Sequence, residues 1–179
     1  MGKATGGTRN FSNRPKALSK RKKQFDDILA TGKYNESYFD ASGGFYVVHK
    51  DHTIKENSES KERLAALALA KKGYRVYLMP DQSYVNGLSK TDGFTEHAQV
   101  DIKTISKTGK ATIKNALEKA SKQGAEMVLL VQNSQAVNRD YITKQIQLFK
   151  DTPGGKHNVT LKAVWVVSAD GKRIHRRLI

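Results

Sequence analysis

The chain has 179 residues, with 32 Lys and Arg against 17 Asp and Glu, a formal net charge of +15. A balance this basic points to polyanion partners, nucleic acid or an anionic membrane surface, and exceeds what solubility alone requires. The absence of cysteine excludes disulfides, thiol catalysis and cysteine zinc sites, and no apolar run approaches the roughly 20 residues of a membrane span.

Residues 1–23 carry Lys3, Arg9, Arg14, Lys16, Lys20, Arg21, Lys22 and Lys23, and no acid. They read as a disordered basic arm to about Pro15, followed by a short helix from Lys16 to Ala30 that is stopped near Gly32. Phe25, Ile28 and Leu29 give that helix one apolar face. Arm and helix make up residues 1–44, and residues 45–179 read as one domain. The N-terminus lacks the apolar segment of a secretory signal.

Gly43-Gly44 marks a turn into a strand at Phe45–Val48. His49 and His52 follow. At a strand end, positions i and i+3 face opposite ways, so the two are poor co-ligands for a metal, and a substrate contact suits them better. Ser58 to Lys72 has the strongest helical pattern. Ser58 or Ser60 can cap it, and Glu59 and Glu62 lie in the first turn, where the helix dipole favours negative charge. Its apolar residues run nearly all round, which predicts burial on more than one side, and Gly73 ends it. A strand at Arg75–Met79 and a loop containing Asn86-Gly87 come next. Asp92-Gly-Phe94 opens another strand, and a turn at His97-Ala98 leads to a central strand at Gln99–Ile105.

Ser106 to Lys110 is a turn. A helix is predicted over Ala111–Gln123, with Ile113, Ala116, Leu117 and Ala120 at helical spacing. Ala125–Val131 is nearly all apolar, as in a strand covered on both faces. A helix at Asn138–Lys150, a turn at Pro153-Gly-Gly155 and a strand at Val159–Ser168 follow. Asp170-Gly171 is a hairpin signal, and the chain returns through Arg173 to Leu178. This order predicts an α/β fold, a mixed central sheet flanked by helices.

The chemistry centres on the strand Gln99–Ile105. Val100, Ile102 and Thr104 alternate with Asp101 and Lys103, so the carboxylate and the ammonium share one strand face while Val100 and Ile102 turn into the core. Asp92 lies nine residues upstream, on the neighbouring strand of a hairpin. Two carboxylates beside a lysine can hold a divalent metal next to a phosphate, which points to a metal-dependent nuclease. Taken alone, Asp-x-Lys also describes an ordinary ion pair on a half-buried strand. Lys107, Lys110, Lys114, Lys119 and Lys122, on or before the helix that follows, and Lys172, Arg173, Arg176 and Arg177 near the C-terminus are candidates to bind a nucleic-acid backbone.

Glu62-x-x-Ala-Ala-x-x-Leu-Ala-x-x-Gly-Tyr-x-Val76 resembles the opening helix and strand of the PD-(D/E)xK toxin nucleases. These are C-terminal domains of contact-dependent growth inhibition proteins and related polymorphic toxins. Asp92-Gly-Phe with Val100-Asp-Ile-Lys-Thr104 resembles their metal-binding hairpin. Ala116-Leu-x-x-Ala-x-x-Gln-Gly-Ala-x-x-Val128 resembles the helix and strand that follow. The resemblance covers about residues 45–132. It implies a restriction-endonuclease-like fold, phosphodiester hydrolysis in tRNA or DNA in the cytoplasm of the producing or target cell, and a cognate immunity protein. By position it makes Asp92 and Asp101 metal carboxylates, with Glu62 contributed by the helix, Lys103 the site lysine and Gln123 an accessory glutamine. The cofactor is a divalent metal, with Mg²⁺ the first expectation and Mn²⁺ or Zn²⁺ the others. Pro80-Asp81 looks like the literal Pro-Asp of the motif but precedes a loop, so Asp81 is the rival to Asp92. Two further readings compete, beside a third, a structural protein of a mobile element that borrows the fold. One is a nucleic-acid binder on a degenerate nuclease fold. The other is a metal-independent ribonuclease using His49 or His52 with Lys103.

Overall fold

The computed structural model describes residues 15–57, 60–80, 91–152 and 160–179. The basic arm over 1–14, Ser58, Glu59, Asp81, Asn86-Gly87 and the turn at Pro153 lie outside these residues. The elements run α1 (Pro15–Ala30), β1 (Tyr34–Phe39), β2 (Phe45–His49), α2 (Glu62–Ala70), β3 (Arg75–Leu78), β4 (Gly93–Thr95) and β5 (Gln99–Ile105). Then come α3 (Thr112–Lys122), β6 (Met127–Gln132), α4 (Arg139–Asp151), β7 (Ala163–Val167) and β8 (Ile174–Leu178).

The strands form one eight-stranded sheet in sequence order, β1 to β8. β2 with β3, β5 with β6 and β6 with β7 pair parallel, and the remaining pairs are antiparallel. The fold is therefore the mixed sheet flanked by helices that the element order predicts. One face packs α2 against Tyr46, Val48, Val76, Leu78, Val100, Ile102, Leu129 and Val131. On the other, α3 and α4 cover Ile105, Val128, Leu130, Val164 and Val166. α1 covers Phe45 and Val47 of that second face through Phe25.

Two elements depart from the sequence pattern. The pattern does not predict β1, Tyr-Asn-Glu-Ser-Tyr-Phe, because its polar residues hide the period. β1 is an edge strand that pairs only with β2. Glu36 on β1 anchors it by receiving Arg63 Nε at 2.7 Å and Nη2 at 2.9 Å, with the Tyr46 hydroxyl at 2.9 Å. The first helix of the domain starts later than predicted. Lys61 is the N-cap of α2 and makes no side-chain cap bond, while Ser60 lies outside the helix with its N–H on Asn57 Oδ1. Glu62 is thus the first helical residue.

The registers show a stagger that shapes the site. Val48, Leu78, Gly93, Val100, Met127 and Ala163 fall in one row across the sheet. This row is near the end of β2 and β3 but at the start of β5, β6 and β7. Beyond it, β5 runs on past β4, and residues 101–105 form the wall of a fork between the two strands. Gly93 sits at the base of the fork, where a Cβ would meet the Tyr77 carbonyl oxygen at 2.0 Å, so only glycine lets β4 and β3 approach this closely.

Candidate active site

Asp92 immediately precedes β4, one step beyond the Gly93–Val100 pair, which places it opposite Asp101. Where β4 ends, the Ile102 N–H loses its ladder partner, and Asp92 Oδ2 takes its place at 2.6 Å. Asp101 is 1 % exposed, and its side chain lies on the sheet face opposite Val100 and Ile102. Lys103 Nζ donates to Asp101 Oδ1 at 2.8 Å and lies 2.7 Å from Oδ2, at an angle too poor for a second hydrogen bond. Asp101 Oδ2 is thereby a buried carboxylate oxygen with no hydrogen bond of its own. The Lys103 ammonium 2.7 Å away balances its charge, and its remaining lone pairs are open to a further cation or donor.

Electrostatics ties a third carboxylate to the pair. Burial pushes the Asp92 carboxyl up to about 7, the charge of Asp101 adds to the rise, and Glu62 contributes a smaller share. The Ile102 N–H opposes them by stabilising the ionised form. Glu62 is itself buried at 3 % exposure, in the first turn of α2. Its Oε2 accepts the Lys55 N–H at 2.9 Å and faces His52 Nε2 at 3.2 Å. The neighbouring Lys61 N–H bonds Thr104 Oγ1 at 2.9 Å, which docks the start of α2 on the overhanging part of β5.

His52 is the site residue whose role the sequence misassigns. It is 6 % exposed, with Nδ1 2.6 Å from the Met79 carbonyl oxygen, so Nδ1 donates and the ring bridges β3 to Glu62. A histidine held in this way positions a carboxylate and is not open to substrate. His49 stacks edge-on against Tyr34 and lies 3.6 Å from Asp51. Alanine at position 52 leaves Met79 O and Glu62 short of a buried partner, so His52→Ala is expected to lower stability by about 3 kcal/mol. A urea unfolding series measures this as a lower midpoint at unchanged slope.

The remaining predicted residues are spread along α3. Gln123 is the C-cap of α3, at the turn toward β6. Lys107 and Lys110 are exposed in the turn before the helix, and Lys119 and Lys122 are exposed at its far end. Lys114 lies 2.8 Å from Glu118, so its charge is locally balanced.

Among the described residues, no group of three or more His, Asp or Glu side chains forms a ready-made metal cage. Two facing carboxylates with one buried oxygen unsatisfied nevertheless fit a hard divalent cation. Such a cation binds through one or two carboxylates and fills its shell with water and substrate phosphate. No helix among the described residues is long and apolar enough to cross a membrane.

Residues 95–173 match the family model described as the contact-dependent growth inhibition CdiA C-terminal domain. The matched segment includes Asp101, Lys103 and Gln123 and leaves out Glu62 and Asp92. Comparison with curated proteins returned no match. Among solved structures, the chain is similar to one described as the CdiA-CT/CdiI toxin and immunity complex from Burkholderia pseudomallei. That similarity has 22 % identity and a TM-score of 0.49, and it covers 74 % of this chain and 98 % of that one. From β4 to the β7–β8 hairpin, then, this chain is similar to the CdiA C-terminal domain family.

Proposed function

We propose that this chain is a metal-dependent endonuclease of the PD-(D/E)xK, restriction-endonuclease-like type that acts as an antibacterial toxin domain. The observation that carries the reaction is the fork between β4 and β5, where Asp92, Asp101 and Lys103 converge around a buried, unsatisfied carboxylate oxygen. The toxin role draws on the family match over residues 95–173. The reaction is assigned to residues 45–179, with residues 1–14 as a basic arm and with α1 and β1 packed onto the domain as a covering helix and an edge strand.

Asp92 and Asp101 hold Mg²⁺, or Mn²⁺ or Zn²⁺ in its place, and Glu62 orients a water or holds a second ion. When bound, such an ion lowers the pKa of water toward neutrality and offsets charge on the phosphate oxygens. Water attacks phosphorus, the bond to the leaving ribose oxygen breaks, and that oxygen takes up a proton. Lys103 Nζ sits where it can hold the attacking water or the developing oxyanion. Gln123 serves as the accessory polar group. The exposed lysines around α3 contact backbone phosphates, with Lys107 and Lys110 at one end and Lys119 and Lys122 at the other.

The resemblance of the sequence motifs favours tRNA over DNA, and it supplies the partner, an immunity protein that covers the fork. The place of action is the cytoplasm. The test incubates the chain with total tRNA and with plasmid DNA, each with Mg²⁺, Mn²⁺, Zn²⁺ or EDTA. Cleavage of tRNA that needs the metal is the expected result. Cleavage that persists in EDTA removes the metal from the mechanism. Salt-sensitive binding without cleavage makes the chain a binder on a nuclease fold.

A further inference from the structure

A second basic site lies at the far side of the sheet, away from the fork. A cavity of about 410 Å³ opens between the start of α4 and the β7–β8 hairpin. Its polar lining is Gln132, Arg139, Ser168, Arg173, His175 and Arg177, over an apolar floor of Ile142 and Val166. No acid lines it. Among the described residues, none of the three guanidinium groups has a carboxylate within 4.0 Å. Asp170, the nearest acid along the hairpin, is occupied by the Ser168 hydroxyl at 2.6 Å and the Lys172 N–H at 3.1 Å. Arg139 opens α4, so the positive end of the helix dipole adds to the three side-chain charges. Arg173 feels the Asp170 charge at longer range, but three guanidinium groups around one concavity without a carboxylate in contact still gain from a shared anion. Their forked donors match phosphate oxygens.

Register ties this cavity to the fork. Lys103, Leu130, Val166 and His175 fall in one row across β5 to β8, and Asp101, Val128, Val164 and Arg177 in the row beside it. Both sites therefore lie on the face that α3 and α4 cover, three strand spacings apart, roughly 14 Å, with the buried Val128, Leu130 and Val164 between them. Arg176 falls outside the cavity and lies 6.0 Å from the centre of the Trp165 ring.

We propose that this cavity is a second phosphate site, and that it holds a backbone phosphate of the same nucleic-acid strand that is cut in the fork, a few nucleotides from the scissile bond. The second half of the proposal rests on the nuclease reading above. Free phosphate offers the same chemistry, and the experiment separates the two sources. Binding of a labelled 12-nucleotide single-stranded RNA is measured in EDTA over a series of NaCl concentrations. It is measured for the full chain, for the triple variant Arg139→Gln/Arg173→Gln/Arg177→Gln, and for a control of equal charge change, Lys33→Gln/Lys144→Gln/Lys150→Gln. Inorganic phosphate is titrated in parallel by thermal shift.

The arginine variant is expected to bind RNA at least about tenfold more weakly than the lysine control. Its slope of log K against log salt should fall by about 0.7, for the one phosphate that is no longer neutralised. The matching Arg→Lys triple recovers most of the slope. If the triple variant does not fold, Arg173→Gln alone, in the exposed hairpin, should weaken RNA binding more than Lys33→Gln alone and lower the slope by less than about 0.7. Equal slopes in the arginine and lysine variants overturn the proposal. So does loss of inorganic phosphate binding with RNA binding unchanged, which makes the cavity a small-anion site. Cleavage is read separately. A chain that binds RNA through these arginines and never cuts it overturns the nuclease reading and leaves the phosphate site standing.

Discussion

Asp101→Asn is expected to lower cleavage by at least about 10³-fold while leaving RNA binding in EDTA within about twofold of the parent. The asparagine keeps the shape of the side chain in its buried place and removes the charge that a cation needs. It also leaves Lys103 without its 2.7–2.8 Å counter-ion. Groups that stabilise charge only in the transition state are worth about 10² to 10³ each, and Asp101 acts both on the ion and on Lys103. Lys103→Met tests the other half of the pair and should cost about 10²-fold, in kcat more than in KM. Single-turnover cleavage of tRNA measures both. Activity of Asp101→Asn within tenfold of the parent would move the reaction away from this fork.

The second large effect is on stability. The Asp92 carboxyl is pushed from its ordinary value of 3.8 up to about 7. In that window the folded chain holds a proton that the unfolded chain has released. This contribution of Asp92 is therefore full below about pH 4, falls as pH rises toward 7 and levels off above it, while Glu36, Asp40, Glu126 and Asp170, held below their ordinary values, act with the opposite sign at the acid end. The whole shift corresponds to about 4 kcal/mol as an upper bound, at about 1.4 kcal/mol for each pH unit. A divalent cation held as proposed would replace the proton, so Mg²⁺ should raise the melting temperature at pH 8 and do little at pH 5. Asp92→Asn should flatten the pH curve and lose the response to Mg²⁺. A melting series from pH 4 to pH 8, with Mg²⁺ or EDTA, measures all of this. Melting temperatures that rise over that range in EDTA would contradict the placement of Asp92 against Asp101.

Most of the fold was legible in the sequence because its core elements carry clear periods. α3 lies within one residue of each predicted end, and Asn138 caps α4 by accepting the Tyr141 N–H. β5 turns Val100 and Ile102 inward, as the alternation requires. β1 escaped because an edge strand needs no continuous apolar face. The start of α2 was misplaced because its cap is not a serine. The carboxylate pair could be read from a strand period and a hairpin. The role of His52 could not, since it depends on a carbonyl 27 residues away and on Glu62. No local pattern encodes either contact. Arg139 went unnoticed for a related reason. In the sequence it stands alone beside Asp140, and only the end of β7 and the hairpin bring three more basic side chains to it.

The place of β8 at the outer margin of the sheet has a further consequence. An unpaired strand margin is a template on which a second copy can add its own strand, the first step toward fibres. Here that margin carries His175, Arg176 and Arg177 in succession, so two copies brought together would set two arginines of each against those of the other. The arginines that would make this edge attractive to a polyanion would also oppose such self-pairing. Neutralising them for one purpose would weaken the other, and a protein with an acidic face laid along β8 would meet both needs at once.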